Sequence, residues 1–411
     1  MRHRGLSSLT ATVPLSFPVL PAFPLDAGYS SQMRFFDNST INRTYLHSTL
    51  HSFAEYSGGA FVFVYMLKAG IAIPVVFCTI ALAQLTRLIM RQAVVPTVMR
   101  IGLRNGLILG TLVDAAAYLV LSQVHGVGLP LAAYILCLGF GSSFYWTCNH
   151  AYFAKLGDAE HRGAQVSVRE AFGALTSVVA PLLAGFLFVK FNSFAAFASA
   201  AAFETLSVLP LWKAPNIQIE KDAQVPPQLR KLAIGFAVAD GVLASSGYLA
   251  WMIALFESLG ENFGSYGGTL AVAGLAGAAM GLAIGRLVDL GHYKHIAVLG
   301  FTAVTISILV KAFGYQLPWT AVIASAIGAM VAPIHMSAMM SRVYNLAKSS
   351  PCPLRYFVLG EGGWDVGTGG GCLVAAALTY AGFSLFWPLL FGLIGCVLCY
   401  WLLSKTPDTA N

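Results

Sequence analysis

Twelve apolar stretches run through this chain of 411 residues, each near the ~20 residues that a helix needs to cross a hydrocarbon layer about 30 Å thick. They fall at 48–67, 72–90, 105–124, 130–151, 165–188, 193–212, 232–256, 266–286, 296–312, 318–340, 356–381 and 384–403. Lipid offers no partner to a backbone N–H or C=O, so each stretch must satisfy its own backbone. The predicted fold class is therefore an all-α polytopic membrane protein with 12 transmembrane helices. Composition agrees, with 57% hydrophobic and 10% charged residues where soluble domains carry roughly a quarter charged. Six of the seven cysteines (Cys78, Cys137, Cys148, Cys372, Cys396, Cys399) lie inside apolar runs and only Cys352 in a polar loop, which argues against a secreted disulfide framework. The net charge of +7 sits in short clusters between apolar runs, so a nucleic-acid partner is not expected.

Those clusters set an orientation. With the N-terminus inside, 21 of the 24 Lys and Arg residues fall on that side, leaving Lys68, Lys190 and Lys311 on the other. An even number of spans with both termini cytoplasmic follows, and the expected location is the bacterial inner (plasma) membrane, with the protein a monomer in the lipid bilayer. Residues 9–25 are apolar, but Pro14, Pro18, Pro21 and Pro24 remove donors and favour an extended cytoplasmic tail; Met33 is a second candidate start.

The spans divide into two near-equal halves, 48–212 and 232–403, joined by a polar linker 213–231 and flanked by tails 1–47 and 404–411. Landmarks recur at a nearly constant offset: Gly102 and Arg104 with Gly291 and Lys294, Gly110 with Gly300, and Arg162 with Arg355. Two parallel six-helix bundles are a recurrent transporter plan. The segment Gly285-Arg286-Leu287-Val288-Asp289-Leu290-Gly291-His292-Tyr293-Lys294 resembles the signature loop of the major facilitator superfamily, with its second glycine one place early. The first-half copy ends Gly102-Leu103-Arg104 but has Met99 where Asp is expected, and Asp158 to Gly163, with Arg162, is similar to another junction of that superfamily. Ala180-Pro181-Leu182-Leu183-Ala184-Gly185 is weakly similar to an element of its antiporters. The resemblance implies two pseudo-symmetric six-helix bundles, a cavity lined by the first, fourth, seventh and tenth helices, and a gating role for Gly285, Asp289, Gly291, Lys294, Gly102, Arg104 and Arg162. Basic residues of such loops can pair with acids of the facing bundle and latch one state; the plainer reading is topology-setting charge beside a turn glycine.

Ionisable groups inside a membrane are costly, and seven of the 17 acids fall within the spans: Glu55, Asp114, Glu170, Glu204, Asp240, Glu361 and Asp365. His47, His51 and Glu55 recur every four residues along one helical face. Asp240 occupies the matching place in the second half. Glu55 and Asp240 are candidate proton carriers, because a low dielectric disfavours charge; each could instead be a permanently paired buried acid. Glu361 and Asp365, one turn apart and flanked by seven glycines between 360 and 371, suggest either a bending gate with a proton or cation site or simple close packing. Tyr145, Trp146 and Asn149 with Ser142 form an amphipathic face, and together with His51 and His335 they are candidate substrate contacts; packing of the aromatics and a core histidine are the alternatives. Asp114 and Glu204 receive no role from the sequence.

No Lys or Arg is expected near the middle of a span, which disfavours an anionic substrate. No cofactor, metal site or enzyme signature emerges. The expected function is a secondary transporter that moves a small neutral or cationic organic solute by alternating access, proton-coupled, with a weak preference for efflux; the alternative is a transporter-like accessory or sensor protein without solute flux.

Overall fold

A computed structural model describes residues 39–156, 162–219, 224–288 and 293–405. Every regular element among them is helical. In chain order these are α1 (Ser39–Ser57), a 3₁₀ turn (Gly59–Phe61), α2 (Val62–Lys68), α3 (Ile73–Ile101), α4 (Leu103–Leu121), α5 (Leu129–Leu156), α6 (Arg162–Lys190), α7 (Ser193–Leu206) and α8 (Val208–Trp212). The second half comprises α9 (Pro227–Ala244), a π-helical segment (Ser245–Ala250), α10 (Trp251–Ser258), α11 (Phe263–Val288), α12 (Tyr293–Gly314), α13 (Pro318–Ser349), α14 (Pro353–Tyr380) and α15 (Phe386–Lys405). Joining α1 with α2, α7 with α8, and α9 with α10 gives twelve rods, one for each predicted stretch.

Eight of these helices are long and apolar enough to cross a membrane on length and composition alone. Of the others, the α1–α2 rod and α14 carry ionisable groups within the helix. Two of the boundaries that differ from the sequence expectation follow from burial. The first rod starts at Ser39 rather than 48, because the His47/His51 face is buried inside the protein. The second runs on to Ile101 rather than stopping at 90, because Arg87 and Arg91 are buried helix residues rather than loop residues.

Local chemistry accounts for the starts and stops. Proline at the first turn opens α3, α9, α13 and α14, where the missing N–H has no intrahelical partner to lose. Asn192 caps α7 by accepting from the Ala195 N–H at 2.8 Å, and Asn262 does the same for Ser265 at 2.9 Å. Gly102 separates α3 from α4 at φ +86°, a backbone conformation that residues with a β-carbon rarely adopt.

The cross-half packing is reciprocal: α3 packs on α14, and α6 packs on α11. In a pseudo-twofold arrangement these are equivalent pairs, the second and eleventh rods and the fifth and eighth. Backbones approach closely in both. A β-carbon on Gly267 would sit 2.4 Å from Pro181 O, so the Ala180–Gly185 fragment is a helix-packing surface. At the end remote from the chain's tails, Phe61, Phe188, Phe256, Phe263 and Tyr266 stack into one aromatic cluster, Tyr266 Oη donates to Ala60 O at 3.0 Å, and Lys68 pairs with Glu261 at 3.1 Å.

The glycines of α14 do not break it. Gly363, Gly367 and Gly371 recur every four residues, and their β-carbons would lie 2.8, 2.2 and 2.0 Å from Ile234 O, Val238 O and Ser245 Oγ. They form the face on which α9 lies. Of the two readings of these glycines, close packing accounts for Gly363, Gly367 and Gly371, and a local irregularity lies in the π-helical segment on the facing rod.

Candidate functional site

The first cluster is built by α1, α4, α5 and α7. Residues 47, 51 and 55 share one face of α1 because four residues make slightly more than one turn. His51 Nδ1 lies 2.9 and 3.0 Å from the two carboxylate oxygens of Glu204, with both residues buried. One turn earlier, His47 Nδ1 donates to Ser207 O at 2.8 Å. Tyr145 stacks on the His51 ring at 3.8 Å between centroids, and Trp146 meets it edge-on at 5.7 Å. Glu55 accepts from Tyr118 Oη at 3.3 Å. It lies deep in the protein yet keeps exposed surface, as a side chain lining an internal space does. Tyr56 and, across the halves, Tyr248 of the π-helical segment are likewise exposed, and Glu55 and Tyr56 act electrostatically on Tyr248. Asp114 is buried against Gly141 and accepts from Ser142 Oγ at 3.4 Å.

The second cluster joins the halves. Arg91 on α3, 1% exposed in its side chain, donates through Nε and Nη2 to Asp365 Oδ2 at 3.0 and 2.6 Å and through Nη1 to Thr147 at 2.7 Å. Arg87, one turn earlier, lies 3.2 Å from both Asp365 Oδ1 and Glu361 Oε2. His150 Nε2 is 3.5 Å from Glu361 Oε1. The Arg87 guanidinium also sits over the Trp364 ring at 5.2 Å, and Trp364 adjoins Asp240 on α9. Asp240 is thus tied through one aromatic side chain to the charges that hold α3 against α14.

This arrangement corrects the expectation that no Lys or Arg lies near the middle of a span. Arg87 and Arg91 belong to α3, and charge near the end of an apolar run reads as loop charge until a partner helix is seen. A recoverable signal was the matched spacing, since Arg87/Arg91 and Glu361/Asp365 are both i, i+4 pairs. Glu204 and Asp114 had no such signal: their partners, His51 and Ser142, lie on other helices.

The remaining candidates are dispersed. Asn149 is buried on α5, and Trp146 lies between His51 and His150. His335 on α13 packs on Gly300, whose β-carbon would lie 3.1 Å from the His335 Cα, just as Gly110 packs on Tyr145, at 2.4 Å from its N. Both glycines and both partners are separated by the same 190 positions (300 − 110 and 335 − 145). Arg104 donates to Ala214 O at 2.9 Å and to Asn105 Oδ1 at 3.1 Å, so it holds the chain leaving α8 rather than an acid of the other half. Gly285 lies in α11 and Lys294 in α12, and Arg162 begins α6. Asp289 and Gly291 fall outside the described residues, as do residues 1–38 and 406–411, and the side chains of Arg162, Glu170 and Lys294 are likewise undescribed.

Twelve helical rods in two six-helix bundles, enclosing buried carboxylates and a cross-half ion cluster, have the architecture of a polytopic membrane transporter. The sequence model of the Major Facilitator Superfamily matches residues 48–352, and the chain belongs to that superfamily. Among curated proteins none matches. Among solved structures, a POT family transporter in complex with 5-aminolevulinic acid is 12% identical with a TM-score of 0.68, covering 89% of this chain and 95% of that one. A POT family transporter in complex with a thioalcohol-conjugated peptide is 12% identical with a TM-score of 0.67, at the same coverages of 89% and 95%. The human organic anion transporter MFSD10 (TETRAN) is 16% identical with a TM-score of 0.59, covering 89% and 99%. At these identities the likeness is one of fold.

Proposed function

We propose that the protein is a proton-coupled transporter of a small neutral or cationic organic solute, with Glu55 and Asp240 as coupling acids. The observation that carries this reading is an excess of interior carboxylate. Arg87 and Arg91 are matched by Glu361 and Asp365, which leaves Glu55, Asp114, Glu204 and Asp240 without a dedicated Lys or Arg among the described residues. Buried acids without a fixed counter-charge must bind a proton or a cation to be tolerable. The preference for neutral or cationic solutes therefore rests on this balance, not on an absence of arginine.

The two halves, 48–212 and 232–403, rock about the interior charges with both tails cytoplasmic, and the aromatic cluster around Phe61 and Tyr266 closes the outer end. Protonation of Asp240 weakens its hold on Trp364 and, through it, the position of Arg87. Tyr145, Trp146 and Tyr248 offer aromatic walls suited to an organic cation. Export is the direction implied by the α6 fragment.

The test is a panel of organic cations and neutral solutes in proteoliposomes under an imposed proton gradient. Accumulation driven by the gradient is expected for wild type and is lost in Asp240→Asn and Glu55→Gln with folded protein retained. Undiminished gradient-driven flux in both variants overturns the assignment of these acids. Absence of flux for every solute favours an accessory or sensor role.

A further inference from the structure

We infer that Glu204 and His51 form a second proton-binding site, in which His51 is the route by which protons reach Glu204. It rests on the proton-coupled reading for its purpose, but its geometry stands alone. Glu204 on α7 is fully buried, and both carboxylate oxygens address His51 Nδ1 at 2.9 and 3.0 Å. His51 Nε2 is buried with no hydrogen-bond partner among the described residues. A ring nitrogen kept from water without a partner is costly, and here it lies on the one side chain that contacts the carboxylate.

The site's other neighbours supply no fixed counter-charge in contact. From α1, His47 stacks on His51 with centroids 6.3 Å apart, and Glu55 lies one turn further on. From α4, Asp114 and Tyr118 feel the charge of Glu204; from α3, Arg87 reaches Glu55 and Asp114 at longer range. From α5, Tyr145 and Trp146 contribute only rings. Of these three carboxyls, Glu204 contacts His51, while Glu55 and Asp114 accept from Tyr118 and Ser142.

The transfer balances simply. When the interior opens to His51, a hydronium ion gives its proton to Nε2 and is left as water, the Nδ1–H passes to a Glu204 oxygen, and His51 ends neutral as its other tautomer while Glu204 becomes a carboxylic acid. Because the His51 ring stacks on Tyr145, a change in its protonation acts directly on the aromatic wall. His51 then serves proton transfer rather than direct contact with solute.

Infrared difference spectroscopy on the intact protein in lipid vesicles tests this without any solute. A step to acid should raise a carboxylic-acid C=O band, which shifts when water is replaced by D₂O. In Glu204→Gln that band should be lost. In His51→Phe, which keeps a ring against Tyr145 and keeps the acid, its rise after the pH step should slow by about 100-fold, the scale of an absent positioned proton-transfer group. A band unchanged in Glu204→Gln overturns the site, and an unaltered rise in His51→Phe overturns the route. Thermal melts of both variants establish that they are folded, and Glu204→Asp, which keeps the carboxylate, should restore a band if Glu204→Gln fails to fold. Because proton binding is read without flux, failure here is distinguishable from failure of proton-coupled transport.

Discussion

The two buried charge clusters use the same residue types to opposite ends. Across the halves, two guanidiniums face two carboxylates, and the close contacts between Arg91 and Asp365 need no ion from outside. Inside the first half, Glu204 faces His51, while Glu55 and Asp114 accept from the neutral hydroxyls of Tyr118 and Ser142. A balanced buried cluster resists the loss of any member, because the survivor is left charged and unpaired. An under-balanced one tolerates neutralisation and gains from it. One cluster therefore fixes which helices touch, and the other is free to change its charge.

Substitutions can test that contrast, beginning with the largest effect. Gly367→Val places a side chain where even a β-carbon would meet Val238 O at 2.2 Å, so α9 and α14 cannot seat and the cross-half cluster loses its platform. The expected outcome is loss of monodisperse protein on size exclusion. Arg91→Ala leaves Glu361 and Asp365 to share Arg87, one buried carboxylate in excess, and is expected to cost about 3–5 kcal/mol, read as a fall in melting temperature, with Arg91→Ala/Asp365→Ala recovering most of it. Recovery of flux along with stability would show that the pair is only structural. Glu55→Gln removes one carboxyl from the under-balanced cluster and should change stability by no more than about 1 kcal/mol while abolishing coupling; a melting loss as large as that of Arg91→Ala would erase the contrast. Lys68→Ala breaks an exposed pair with Glu261 at the far end, and its effect should stay within about 1 kcal/mol and vanish in high salt.

The helices were legible because lipid leaves one way to satisfy a backbone, and glycine, proline and asparagine mark where that obligation ends. Pairwise chemistry across helices was less so. Glu361 and Asp365 stood out as costly, but nothing local says that their partners are Arg87 and Arg91, more than 270 positions earlier. Arg87 even lay inside the predicted second stretch, where its charge near the end of the run concealed it. Glu204 lay on a rod that family layout assigns to the periphery, and only the inward turn of α7 at that residue brings it to His51. The glycines of α14 were visible, yet their count suggested weakness, whereas their four-residue spacing marks a packing face.

The paired contacts Gly110 with Tyr145 and Gly300 with His335 carry a historical consequence. A duplicated chain inherits its steric constraints twice, and the bare glycine surface survives in both copies because the helix backbones meet there. The residue pressed against that surface was under no such constraint to stay the same. One copy holds a phenol and the other an imidazole at equivalent places, so the scaffold is symmetric while its chemistry is not. An ancestor with two identical halves would have responded alike from either side; this divergence gave the two halves different parts to play.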